Sequence, residues 1–260
     1  MKTRHWREGF FVAEGEKVVR RLLSSGHKVV SLLLTSRWFE TLRPILEEKH
    51  FGALDVFIAP DEMLESITGV PMHQKIMAVG NIPPNPSLEE LSHPHSGTNI
   101  HVALEGIADA ENMGMIVRNC AAFGVESLVT GRDSTHPYLR RSIRVSMGTI
   151  FSLRTYRSSS LHETLRDLRD QHGWRVVGTV PQGGRTIVEE CLSREGLAAP
   201  ICLLFGGEGS GLSDEARTLC DAFFTIPMHG NVDSLNVANA TAVILYTFIR
   251  VATPPFPFPA

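Results

Sequence analysis

No stretch of this sequence approaches the roughly 18 consecutive apolar residues of a membrane-spanning helix, so an integral helical membrane protein is not expected. The opening residues Met1-Lys2-Thr3-Arg4-His5-Trp6 run into a charged amphipathic stretch, not the apolar core of a secretion signal. Cysteine is scarce. The four residues Cys120, Cys191, Cys202 and Cys220 form no CxxC pair and read as reduced thiols of a cytoplasmic protein. Eleven histidines produce no HExxH, and His93-Pro94-His95 falls among prolines, so no metal is expected. The Gly-Lys-Ser/Thr of a P-loop is missing. So is an early GxGxxG followed about twenty residues later by an acid, which excludes the usual nicotinamide-dependent oxidoreductase. There is no overall basic excess either, since the formal net charge is −3.

What is present is ordinary globular material: 43% hydrophobic and 20% charged residues over 260 positions, enough for one large domain or two modest ones. The charge is unevenly placed. Residues 1–50 carry ten Lys/Arg against six Asp/Glu, and Tyr138 to Arg157 holds Arg140, Arg141, Arg144, Arg154 and Arg157 with no acid. Such stretches can track phosphates, and they can equally be solvated faces.

Helix and strand periodicities alternate in residues 1–82. Glu14–Ser24 is spaced as a helix and Val29–Leu34 as a buried strand. Residues 37–48 (helix), Leu54–Ile58 (strand), a short helix capped by Asp61, and a strand near Lys75–Val79 follow. Residues 82–97 contain four prolines; we read 83–97 as a linker with no helix or central strand. From 98 to 260 a second series begins. Its expected strands are His101–Glu105, Ser127–Thr130, Trp174–Val180, Ile201–Phe205 and Phe223–Ile226. Its expected helices are 111–123, 138–147, 160–171, 212–221 and 235–251. The last is apolar on nearly every side and should be buried all round, either in the core or between subunits. The tail Pro254–Pro259 is too rich in proline for regular structure. Repeated αβ alternation predicts an α/β fold with a helix-flanked sheet.

Three segments draw attention. In Leu203–Glu215 a buried strand runs into glycines 206, 207, 209 and 211, and a helix opens at Ser213. Glycines admit a nucleotide-like ligand to the backbone, though a flexible turn would look the same. In Ile226–Ala240 a strand ends at Pro227 and a helix begins near Ser234. This puts Ser234 and Asn236 in a first turn, where free N–H groups collect. Either is a cap by type, or a ligand contact. In Glu105–Cys120 a strand ends, Asn112 sits in the next helix's first turn, and Arg118 emerges from an otherwise apolar stretch. On its own, such an arginine is more often a salt bridge or a snorkelling side chain.

Taken together and in order, these segments resemble the three motifs of the SpoU/TrmH branch of the SPOUT methyltransferases. Asn112 to Arg118 is similar to the first motif, Gly206–Gly211 to the second, and Ile226-Pro227-Met228 with Ser234-Leu235-Asn236-Val237 to the third. Ser146–Phe151 is similar to the family's Ser-x-Gly segment, and Glu14-Gly15-Glu16-Lys17-Val18 to the start of its αβ substrate-binding domain. Ala110 departs from the pattern by replacing a proline. It removes a rigid turn and no reactive group. The resemblance implies a knotted (trefoil) C-terminal methyltransferase domain at 98–260, a smaller N-terminal αβ RNA-binding domain at 1–82, and a homodimer sharing helix 235–251. It implies S-adenosylmethionine held near Gly206, Gly211, Ile226, Met228 and Leu235. Arg118, Asn112, Glu208, Ser234 and Asn236 become the catalytic candidates. The implied reaction is methyl transfer to a ribose 2′-hydroxyl of a structured RNA, either ribosomal or transfer RNA, with ribosomal RNA favoured. A non-catalytic RNA-binding protein of the same fold is the alternative, and the retained polar set argues against it.

Overall fold

The computed structural model describes residues 5–48, 54–68, 75–93, 99–186, 200–230 and 232–252. Cys191, Pro94-His95 and the tail Pro254–Pro259 lie outside the described residues. The chain forms two compact units, Met1–Pro84 with His136–Ser152, and Asn85–Thr135 with Leu153–Ala260. Segment 136–152, expected in the C-terminal series, packs with the first unit.

The first unit is a four-stranded sheet with β1 (Phe10–Glu14), β2 (Val29–Leu34), β3 (Asp55–Ile58) and β4 (Ile76–Asn81) in the order β1-β4-β2-β3. β4 pairs antiparallel with both neighbours, and β2 pairs parallel with β3. Helices α1 (Glu16–Ser24), α2 (Ser36–Glu48) and α3 (Asp61–Thr68) connect the strands. α1 buries Val18, Val19, Leu22 and Leu23, the i, i+1, i+4, i+5 stripe legible in the sequence. Strand β1 is an addition to the expected elements. Phe10-Phe11-Val12-Ala13 is a β-type run ending at Glu14, and Gly15 (φ 93°) turns the chain into α1. The helix therefore begins two residues later than its spacing predicts.

The second unit holds β5 (Ile100–Leu104), β6 (Ser127–Thr130), β7 (Arg154–Arg157), β8 (Arg175–Thr179), β9 (Ile201–Phe205) and β10 (Ala222–Phe224). Their order is β10-β8-β9-β5-β6-β7 and every pairing is parallel. β5, β6 and β9 are buried at every position, as expected for inner strands covered on both faces. The helices are α4 (Leu88–Ser92), α5 (Ala110–Ala122), α7 (Leu161–His172), α8 (Asp214–Thr218) and α9 (Val237–Ala252). α6 (Arg140–Val145) belongs to the first unit. Under the sheet, Leu161, Leu165, Leu168, Trp174, Cys202 and Leu204 pack together. His101 stacks on Trp174 with ring centroids 3.8 Å apart, and burial pushes its imidazole down to about 3. It stays neutral and serves the core.

One expectation needs correction here. The proline-rich stretch does contain a helix, α4, because no proline falls between Pro86 and Pro94. Ser87 then caps α4 in a reciprocal capping box with Glu90. Within one chain the last helix is covered on the side where α5 packs, while Val243 and Tyr246 are 41% and 55% exposed.

Candidate functional site

All loops that matter leave the carboxyl ends of neighbouring parallel strands, where open α/β sheets place their ligands. β5 leads into 105–109, β8 into 180–181, β9 into 206–213, and β10 into 225–236. Between the last three lies a cavity of 550 Å³. Its walls include Gly206, Gly211, Ile226, Met228, Leu235 and Ile244, with Glu208, Ser234 and Asn236 among its polar groups. A second cavity of 420 Å³ adjoins it across the 207–210 loop, lined by 106–109 and Asn112.

The glycine loop fits its place for steric reasons. A Cβ on Gly206 would be driven into the Gly211 carbonyl, and one on Gly207 would lie 2.5 Å from Gly106 O. Gly211 has φ 64°, a left-handed conformation that side chains other than glycine's rarely accept. The loop is pinned from below by Glu105, a buried carboxylate at the end of β5. Ser213 donates to it from N (2.9 Å) and Oγ (2.7 Å), and His162 Nε2 lies 2.7 Å away. Burial alone would push the Glu105 carboxyl up, yet these hydrogen bonds hold it below the ordinary carboxylate range. A lowered carboxyl stabilises the fold above its unfolded value and loses that contribution as pH falls through the lowered one. The anchor is thus in place at neutral pH. Sequence reasoning misses it because Glu105 lies 57 residues from His162 and 108 from Ser213, with no motif linking them.

Three of the catalytic candidates converge. Asp109 caps α5 by accepting from Glu111 N (2.6 Å) and Asn112 N (2.9 Å), which fixes the first turn without the absent proline. Asn112 then donates its amide to Glu208, and Asn236 Nδ2 donates to both Glu208 Oε1 (3.0 Å) and Asn112 Oδ1 (3.1 Å). Asn236 Oδ1 also accepts from Ala238 N (2.9 Å). Asn236, not Ser234, is therefore the cap of α9, which starts at Val237. Ser234 lies before the helix, exposed on the cavity wall. One asparagine thus fixes a helix start and holds a carboxylate from another loop.

Arg118 stands apart. It is exposed and lines neither cavity. Six residues separate it from Asn112, which at 3.6 per turn is about 240° around α5. Asn112 turns inward and Arg118 turns out. Within one chain, Arg118 is not among the groups that line either cavity.

The basic run also divides. Arg154 donates to the carbonyls of Glu90 (2.6 Å) and His93 (3.0 Å), and Arg157 to those of Arg132 (3.1 Å) and Ser134 (3.0 Å). Burial lowers the Arg157 guanidinium from its ordinary value. Both belong to β7, a strand the basic composition concealed, and both are engaged inside the second unit.

Residues 99–246 match the model of the SpoU rRNA Methylase family. The chain is 32% identical over 243 residues to an uncharacterised tRNA/rRNA methyltransferase of Mycobacterium tuberculosis, covering 92% of this chain and 80% of the relative. It is 28% identical to the 23S rRNA (guanosine-2′-O-)-methyltransferase RlmB of Haemophilus influenzae, covering 84% of this chain and 87% of that one. Among solved structures it is similar to the SpoU methyltransferase AviRb from Streptomyces viridochromogenes in complex with AdoMet. The TM-score is 0.79 at 26% identity, covering 96% and 93% of the two chains. The AdoMet-bound rRNA methyltransferase from Sinorhizobium meliloti superposes with a TM-score of 0.82 at 26% identity, covering 98% and 92%.

Proposed function

The chain belongs to the SpoU rRNA methylase family, and from that premise we propose that it methylates a ribose 2′-hydroxyl of ribosomal RNA with S-adenosylmethionine. The observation that carries this reading is the joining of Asn112 from the first turn of α5 with Glu208 and Asn236 from two strand-end loops, at the edge of a glycine-walled cavity.

The cavity suits the cofactor. Its volume lies within the range of small-molecule sites, and a Cβ at Gly206 or Gly207 would remove the close loop approach that shapes it. Ile226, Met228, Leu235 and Ile244 offer an apolar wall for an adenine, while the Glu208 carboxylate suits a cationic ligand. S-adenosylmethionine supplies an electrophilic methyl group on a positive sulfur. The chain's residues do the rest. Gly206, Gly211, Ile226, Met228 and Leu235 hold the cofactor, and Asn112, Glu208, Ser234 and Asn236 set the geometry in which hydroxyl and methyl meet. Arg118 does not take the hydroxyl proton, because a guanidinium keeps its charge in proteins. It steadies the developing alkoxide, and the proton leaves to an RNA phosphate or water.

In this reading the protein is a cytoplasmic homodimer, and Arg118 serves the cavity of a second copy. It faces away from its own cavity on α5, beside α9, whose Val243 and Tyr246 are uncovered. Residues 1–82 select RNA and 98–260 transfer the methyl group, joined through 83–97. The trefoil knot implied by the resemblance belongs to the same reading. Among the described residues no helix is long and apolar enough to cross a membrane. Two measurements check the proposal. Calorimetric titration should give saturable one-site binding of S-adenosylmethionine and none of a nicotinamide dinucleotide; the reverse pattern overturns the reading. Sedimentation should show a dimer, and the Val243→Glu, Tyr246→Glu double variant a monomer. A wild-type monomer at micromolar concentration would remove the dimer from the account.

A further inference from the structure

The first compact unit carries a basic face that the methyl-transfer site does not use. On α1, Lys17 and Arg21 are exposed one turn apart, and on α6 Arg141 and Arg144 are exposed at i, i+3. The two helices adjoin. Arg21 Nη1 donates to Met147 O (2.6 Å) just beyond α6, and a Cβ at Gly148 would lie 3.2 Å from Val18 Cα. Met147 and Gly148 both have positive φ (56° and 78°), so the chain leaving α6 bends sharply back beneath α1.

The charge balance of this face is one-sided. β1, α1 and residues 136–152 contain six Lys/Arg and only two acids, Glu14 and Glu16. Both acids are taken up within the face itself: Arg140 holds Glu14 at 2.7 Å, and Arg20 holds Glu16 at 3.0 Å. Lys17, Arg21, Arg141 and Arg144 are exposed on the two helices. Neither α1 nor α6 exposes a large apolar side chain. A protein partner would need such a side chain at the centre of its interface, whereas a phosphate backbone does not.

We propose that this face, formed by Lys17 and Arg21 of α1 with Arg141 and Arg144 of α6, docks the sugar–phosphate backbone of the RNA substrate. The inference rests on the RNA methyltransferase reading above and adds the surface that meets RNA. It explains why an arginine run remote in sequence from residues 1–82 joins the first unit: the run completes a cationic face that α1 begins. Arginine suits the task because its planar fork pairs with phosphate oxygens two at a time.

The test is the salt dependence of binding to 23S ribosomal RNA transcribed in vitro, measured with the full chain. Removing one phosphate-binding side chain should flatten the slope of log affinity against log salt by about 0.7–0.9. The variant with Lys17, Arg21, Arg141 and Arg144 all replaced by glutamine should therefore flatten it by about 3. The milder Lys17→Gln, Arg144→Gln pair should flatten it by about 1.5. Neither of these two side chains makes a hydrogen bond or ion pair among the described residues, so this pair guards against a folding artefact. S-adenosylmethionine affinity should be unchanged in both variants. The control pair Arg37→Gln, Arg43→Gln, on α2, should leave the slope as it was. An unchanged slope in the Lys17, Arg144 pair, or equal flattening in the α2 control, overturns the assignment of this face. A wild type that itself fails to bind RNA overturns the methyltransferase reading along with it.

Discussion

Arg118→Ala is expected to lower methyl transfer by about two to three orders of magnitude, the cost of removing one preorganised donor from a developing oxyanion. S-adenosylmethionine affinity should stay within about twofold, because the side chain lines neither cavity. Arg118→Lys should recover only part of the rate, since a point charge lacks the guanidinium's fixed fork. The outward direction of Arg118 makes a sharper result expected. Subunits carrying Arg118→Ala, mixed with subunits unable to bind cofactor, should regain activity that neither has alone. In such a pair one cavity has both its cofactor and the partner's arginine. Mixtures that stay inactive, though shown to exchange subunits, would return Arg118 to its own chain's site.

Gly206→Ala has the second large expected effect. The added methyl would collide with the Gly211 carbonyl, a backbone group that no rotamer change can remove. The loop from 206 to 213 must then shift, although Glu105 pins its far end through Ser213. Cofactor affinity should fall by at least about a hundredfold, equivalent to removing several backbone hydrogen bonds at once. Far-UV circular dichroism should show the secondary structure retained. An alanine variant that binds S-adenosylmethionine as the wild type does would mean that the cofactor lies elsewhere.

Much of this architecture is legible in the residues. β2, β6 and β9 match their expected ranges because each is a short apolar or β-branched run with clear ends. The places that mislead are those where distant residues decide. β7 looks like a phosphate-tracking arginine run, because Arg154 and Arg157 find their carbonyl partners 23 to 64 residues away. Ser234 looks like the cap of the last helix. Asn236 takes that position because its amide also reaches Glu208 and Asn112, across 28 and 124 residues. Motif order places Arg118 along α5, but it does not fix the side of the helix. The Glu105–His162–Ser213 anchor leaves no local trace at all.

The reaction is defined by the atom that receives the methyl group. A 2′-O-methylated nucleotide cannot attack its own 3′-phosphate, so alkali spares the bond beyond it. Unmodified 23S ribosomal RNA should be incubated with the protein and S-adenosylmethionine, hydrolysed in alkali, and resolved at single-nucleotide spacing. One protected position should appear in the ladder, absent without cofactor and absent with Arg118→Ala. Methyl incorporation with an unbroken ladder, and the label recovered on a base, would contradict it.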